Sequence, residues 1–208
     1  MYRALVIIKG KSPLSQSRQH RTEYLDGESH EDYEKRTWRE KANYDENGIV
    51  FIPAMAFKQA MDLAAKRLSI PDPDNKRASM TKFFVSDVFC EDNVSIGIHK
   101  DSTPQKWINA NVDGVRGSGK RVPRAFPQVP NWEGTATFLI TEPKITEEMF
   151  ERVIRAAGQS IGVGQFRPAN GGLNGKWTVL SIEYVPYEFG EEPEVKETPK
   201  KQRQSLAA

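Results

Sequence analysis

Two stretches of helical periodicity, each set between short apolar runs, restrict the folds open to this chain more than any other feature. In the first, Phe57, Met61, Ala64 and Leu68 recur at spacings of four, three and four, with Lys58, Asp62, Lys66 and Arg67 elsewhere. That is an amphipathic helix with one buried stripe. Pro53 stands where a first helical residue should be, a position at which its missing N–H breaks no hydrogen bond. In the second, Phe150, Val153, Ile154, Ala157 and Ile161 make the stripe. Thr146 is its N-cap, Glu147 and Glu148 suit the positive end of the helix dipole, and Ile145 and Phe150 occupy the positions of a hydrophobic staple.

Strand-like runs surround these helices. Residues 2–10 are β-branched and end at Gly10, a first strand. A short apolar run covers 49–52. Residues 83–90 and the alternation of Val94, Ile96 and Ile98 predict a strand pair, turned by Glu91-Asp-Asn93. Residues 135–141 and 176–185 complete the set. The order is strand, helix, strand(s), strand, helix, strand, which predicts an α+β fold with a ferredoxin-like (RRM-like) βαββαβ core.

Two segments stand outside this order. Residues 11–48 are too charged for core and read as an extended loop or insertion. Residues 99–132 carry Gly, Pro, Arg, Trp107, Phe126 and Trp132 without sustained periodicity, the character of a functional or disordered insertion. The chain is 208 residues long, 38% hydrophobic and 28% charged, enough for a single domain over 1–186 carrying both insertions. The tail over 187–208, acidic and then basic, has little to bury and is expected to be disordered. No run approaches the roughly 20 apolar residues of a membrane span. The lone Cys90 permits no internal disulfide, so a cytoplasmic protein is expected, in a host cytoplasm if the chain is viral.

Net charge is only +2, but its distribution is uneven. Residues 1–22 hold five basic side chains (Arg3, Lys9, Lys11, Arg18, Arg21) and no acid; residues 23–46 hold nine acids against four bases. Residues 114–132 hold four bases (Arg116, Lys120, Arg121, Arg124) and no acid, as do residues 152–182. Basic segments that return at intervals either converge into a polyanion-binding patch or stay scattered as solvated side chains.

The glycine-rich stretch between the second helix and the last strand is the most informative for function. Six glycines fall between 158 and 175, including Gly162 and Gly164, with Gln165, Phe166, Arg167, Asn170, Asn174, Lys176 and Trp177 among them. Such a loop lets backbone approach a ligand and offers N–H groups to anions. Phe166 and Trp177 either stack on bases or pack inward. Upstream, Gly114-Val-Arg-Gly-Ser-Gly-Lys120 matches the first seven positions of a P-loop, but Arg121 stands where Ser or Thr must hold magnesium, and Pro123 and Pro127 bar the helix that should follow. As a basic hairpin, Arg116, Lys120, Arg121 and Arg124 would clamp a phosphate backbone, with Trp107, Phe126 and Trp132 interleaved. His20, His30 and His99 lack metal-ligand spacing; His99 with Asp101 and Asp113 is the one grouping an endoribonuclease reading could use.

A helix, a glycine-rich loop containing Ile161-Gly-Val-Gly-Gln-Phe-Arg-Pro168 and a closing strand resemble the RAMP superfamily of CRISPR-associated proteins. Lys11-Ser-Pro-Leu14 after the first strand and Ile52-Pro-Ala54 at the first helix are similar to the backbone subunits of those complexes. The resemblance covers residues 1–10, 49–98 and 133–185. It implies an RRM-like fold that binds single-stranded RNA or DNA, often by subunits polymerised along the strand, with the middle insertion as a protruding hairpin. The short chain fits a stand-alone phage or mobile-element relative. The expectation is a non-catalytic binder of single-stranded DNA or RNA that self-associates and needs no cofactor. Lys9, Lys11, Arg18, Arg116, Lys120, Arg121, Arg124, Phe126, Gly162, Gly164, Phe166, Arg167 and Lys176 would form the interface. The alternative is an assembly subunit that contacts only protein.

Overall fold

The computed structural model describes residues 1–111, 119 and 121–188. A four-stranded antiparallel sheet takes the order β4-β8-β1-β9, formed by β1 (Tyr2–Gly10), β4 (Val88–Cys90), β8 (Glu133–Ile140) and β9 (Trp177–Pro186). Alternation along β1 and β8 sends Ala4, Val6, Ile8, Ala136, Phe138 and Ile140 to one side, each 1% exposed or less. Two helices cover that side, α2 (Ala54–Leu68) and α4 (Glu147–Ala156). Phe138 meets Phe150 edge-on at 5.4 Å, and Phe57 meets Trp177 in the same way at 5.4 Å.

Both helices follow their sequence signals. Phe57, Met61 and Ala64 are buried, as are Phe150, Val153, Ile154, Ala157 and Ile161. The Thr146 hydroxyl accepts from the Met149 N–H at 3.2 Å, a cap contributing about 1 kcal/mol. Pro53 lies just ahead of α2 rather than in it, and the Ala54 N–H is capped from a distance by Asn93 Oδ1 at 3.0 Å.

The middle of the chain departs from expectation. Residues 83–90 do not make one strand: α3 (Thr81–Asp87) occupies most of that span, leaving three residues for β4. Met80, Phe84 and Val88 recur every fourth residue and are all buried, a helical spacing that the β-branched and aromatic content masks. Lys58 Nζ donates to the Phe84 and Val85 carbonyls at 2.9 and 2.8 Å and so satisfies the end of α3. Consequently β5 (Val94–His99) does not pair with β4. It pairs antiparallel with β3 (Ile49–Ile52), while β4 pairs with β8.

Neither insertion is structureless among its described residues. Residues 11–48 contain β2 (Leu14–Ser15) and α1 (His30–Thr37), the latter followed by a 3-10 turn at Trp38–Lys41. Residues 99–132 supply β6 (Gln105–Asn111) and β7 (Arg121–Val129), paired antiparallel, and β2 adds to the far edge of β7. The α1 region is tied to β7 by a buried ion pair, Glu34–Lys41, whose side chains are 2% and 9% exposed. Glu34 Oε2 also accepts the Ala125 N–H at 2.8 Å, and Lys41 Nζ donates to the Ala125 carbonyl at 2.9 Å. Burial pulls the Lys41 pKa below the ordinary lysine value, against the opposing pull of Glu34. Among the described residues, no helix is long and apolar enough to cross a membrane. The tail expected to be disordered lies, from residue 189 onward, outside the described residues.

Replacing Lys41 by Met leaves the buried Glu34 charge with only the distant Arg124 guanidinium, 3.8 Å away, and is expected to cost about 3 kcal/mol of stability. Glu34→Gln with Lys41→Met removes that charge and should recover part of the loss. Urea midpoints of the two variants check this; a wild-type midpoint for Lys41→Met would refute it.

Candidate nucleic-acid interface

The glycine-rich loop is shaped by close backbone contact. α4 continues through a π-helical turn, Ala157–Ile161, and stops at Gly162 with φ 73°. From there the chain folds against β2. Gln165 N–H donates to the Ser15 carbonyl at 2.7 Å, Gly175 N–H to the Pro13 carbonyl at 2.8 Å, and Val163 N–H to the Gly175 carbonyl at 3.0 Å. A Cβ on Gly164 would lie 2.4 Å from the Ser15 carbonyl oxygen, and one on Gly175 1.8 Å from that of Val163. Asn170, Gly171, Gly172 and Asn174 N–H groups all donate within the loop. Most of the loop's donors therefore hold its own fold and its dock on β2, rather than standing open to an anion as the sequence suggests.

What the loop presents is side chains. Phe166, in the left-handed region at φ 58°, keeps its ring 37% exposed and meets Phe126 edge-on at 5.9 Å. A non-glycine residue there costs on the order of 1–3 kcal/mol, a strain that concentrates at functional positions. Arg167 follows, its Nη1 3.4 Å from the Gly164 carbonyl.

Together, β2, the β6–β7 pair, the start of α2 and this loop enclose a cleft of about 1020 Å³. Arg18, Arg121, Arg124 and Arg167 all line it, and among the described residues no Asp or Glu does. Two of the four are partly engaged: Arg18 lies 3.8 Å from Glu40 and over the Tyr44 ring, and Arg124 lies 3.8 Å from Glu34. Arg121 and Arg167 form no ion pair among the described residues. Amide side chains complete the lining, Gln16, Asn43, Asn109, Asn111, Gln165 and Asn170. Such a surface offers charge to phosphates, amides to base edges or sugars, and a ring for stacking.

Of the residues expected at the interface, Arg18, Arg121, Arg124, Phe126, Gly164, Phe166 and Arg167 meet at this cleft, and Gly162 sits behind it in the same loop. Phe126 is only 2% exposed and supports Phe166 more than it offers a face of its own. Lys11 and Lys176 line a separate pocket, and Lys9 lies exposed on β1, facing Glu133 and Thr178 in register. Arg116 and Lys120 lie outside the described residues, as does the P-loop-like stretch apart from Gly119. Trp177 and Trp132 are 3% and 4% exposed and belong to the core, with Trp132 Nε1 donating to the Ser12 carbonyl at 2.9 Å. Asn43, Asn109 and Asn111 escape sequence reasoning. The alternation of Asn109 and Asn111 would place both on one face of a strand, had a strand been recognised there.

His99 Nδ1 is 3.4 Å from Asp101 Oδ2, but neither lines the cleft, and Asp113 lies outside the described residues. Burial pushes the Cys90 thiol up to about 12, which leaves no thiolate at neutral pH. Among the described residues no cluster of His, Cys, Asp and Glu could hold a metal ion.

No protein-family model matches this chain, and no curated protein matches it. Among solved structures it is similar to the crystal structure of Cmr6 from Pyrococcus furiosus, at 15% identity and a TM-score of 0.45 over 86% of this chain and 99% of that one. A chain of the cryo-EM structure of the type III-B Cmr-beta complex bound to cognate target RNA is 10% identical, with a TM-score of 0.48, over 88% of this chain and 60% of that one. A chain of a CRISPR RNA-guided surveillance complex is 12% identical, with a TM-score of 0.38, over 90% and 72%.

Gly175→Ala puts a methyl group into the Val163 carbonyl at a left-handed position. It is expected to destabilise the protein by more than about 1 kcal/mol, read as a lowered Tm, with weaker docking of the loop. A Tm equal to that of the wild type would show that the loop does not need this close approach.

Proposed function

We propose that the cleft binds the backbone of a single-stranded nucleic acid without cutting it, and that copies of the protein assemble along one strand. The observation that carries this reading is the convergence of Arg18, Arg121, Arg124 and Arg167, far apart in sequence, on one cleft whose lining holds no carboxylate among the described residues. Phosphate contacts from these arginines supply affinity that is strong at low salt and largely independent of sequence. Phe166, held half-open against Phe126, adds a stacked base at about 1–3 kcal/mol. We read the sheet order β4-β8-β1-β9 with α2 and α4 on one face as a ferredoxin-like (RRM-like) core spanning 1–186. With the sequence resemblance to the RAMP superfamily, this fits a stand-alone phage or mobile-element relative.

Fluorescence anisotropy of labelled single-stranded RNA, single-stranded DNA and duplex DNA, titrated across a salt series, tests the reading. Single strands should bind more tightly than duplex, and affinity should fall steeply with salt. Arg121→Ala with Arg167→Ala should flatten the log–log salt slope by about 1.4, two lost contacts at roughly 0.7 each on a single strand. Phe166→Ala should weaken binding with the slope unchanged. Absence of binding at low salt would overturn the proposal and leave the cleft as a protein-contact surface.

A further inference from the structure

Two surfaces outside the cleft complement each other. The first is the tip of the 11–48 insertion, just ahead of α1. Leu25 and Tyr24 are 60% and 52% exposed there. The tip is nevertheless well held. Tyr24 stacks on Tyr33 with ring centres 3.8 Å apart, Leu25 N–H donates to Glu28 Oε2 at 3.0 Å, and Arg36 Nη2 donates to the Glu23 carbonyl at 2.9 Å. Neighbouring acids are neutralised locally, Glu28 by Arg36 and Glu31 by Lys35. Glu23 and Asp26, which flank the exposed pair, form no ion pair among the described residues. The tip is thus an apolar side chain between two uncompensated carboxylates.

The second surface is a pocket of about 430 Å³ where the end of α4 meets the start of β9. Lys11, Arg155 and Lys176 line it together with Gln159, Trp177, Thr178 and Val179, and among the described residues no acid does. Arg155 shares its charge with Glu151 at 2.7 Å, whereas Lys11 and Lys176 form no ion pair among the described residues. The pocket therefore pairs an apolar lining with two uncompensated ammonium groups, the converse of the tip.

We infer that the tip of one copy docks in this pocket of the next, with Leu25 in the pocket and Glu23 and Asp26 against Lys11 and Lys176. The two patches differ, so the contact is head-to-tail, and its repetition gives an open line of subunits rather than a closed dimer. None of the residues involved lines the arginine cleft, so each subunit keeps its cleft free along the line. Uncompensated charge on both sides favours this partner over a phosphate chain at the tip, which the two carboxylates repel. The inference deepens the assembly part of the proposed function and rests on that part alone.

Sedimentation velocity of the full chain without nucleic acid, over a range of protein and salt concentrations, tests it independently of the cleft. Wild type should form larger species as concentration rises, and salt should dissolve them. Glu23→Lys with Asp26→Lys should abolish this shift, as should Lys11→Glu with Lys176→Glu. Mixing the two double variants should restore it, because the acidic tip and acidic pocket of one then meet the basic pocket and basic tip of the other. A monomeric wild type at every concentration would overturn the inference, as would self-association that survives either charge reversal. Loss of oligonucleotide binding in the Lys11→Glu, Lys176→Glu variant with self-association intact would also overturn it, by assigning the pocket to nucleic acid.

Discussion

Both backbone groups of Ala125 are captured by side chains from a segment some ninety positions away in the chain. Glu34 takes its N–H and Lys41 its carbonyl, so that two charged side chains do for β7 what another strand would do. The arrangement resolves two liabilities at once. A fully buried carboxylate and a buried ammonium find each other, and a stretch of β7 that β2 is too short to cover has its polar groups satisfied. The clamp also decides where β7 lies against the rest of the molecule, and so where Arg121, Arg124 and Phe126 point. The two residues of β2, the Gln16 N–H bond to the Pro127 carbonyl, buried Val129 and the Phe126–Phe166 contact add to this clamp in joining the β6–β7 pair to the rest of the molecule.

The glycine-rich loop completes the same surface by a different device. Gly164 and Gly175 let peptide groups pass at distances that a Cβ would forbid, so the loop lies flat on the β2 segment. Its N–H groups are then used in holding that contact. Function passes from backbone to side chains: Phe166 and Arg167 project where the loop turns, and Phe166 is kept there in a left-handed conformation that Phe126 supports. The cleft is a junction at which β2, the β6–β7 pair, the start of α2 and the glycine-rich loop meet.

Charge is distributed unevenly around this junction. The net charge of +2 reflects a partition: the acids of α1 and its neighbourhood are largely matched to nearby bases, while the cleft collects arginines without carboxylates among the described residues. Glu34 and Glu40 stand behind Arg124 and Arg18 at 3.8 Å, close enough to orient the guanidinium groups and too far to hold them as tight pairs.

Local sequence patterns determined α2, α4 with its threonine cap, and strands β1, β8 and β9. Amphipathic spacing and a threonine N-cap act over a few residues and do not depend on distant partners. Composition also located the basic segments. Where composition and spacing disagreed, as at Met80, Phe84 and Val88, the buried spacing prevailed because tertiary burial outweighs intrinsic strand preference. The insertions were beyond this reach. α1 carries Glu34 on its buried side and the turn after it carries Lys41, so no apolar stripe announces the helix, and β7 contains Pro123 and Pro127, residues depleted within strands. Which basic residues share a surface was decided only by tertiary structure. Strand pairing and the Glu34–Lys41 clamp set Arg18, Arg121, Arg124 and Arg167 around one cleft and left Lys11 and Lys176 at another, because long-range contacts place side chains that sequence proximity does not.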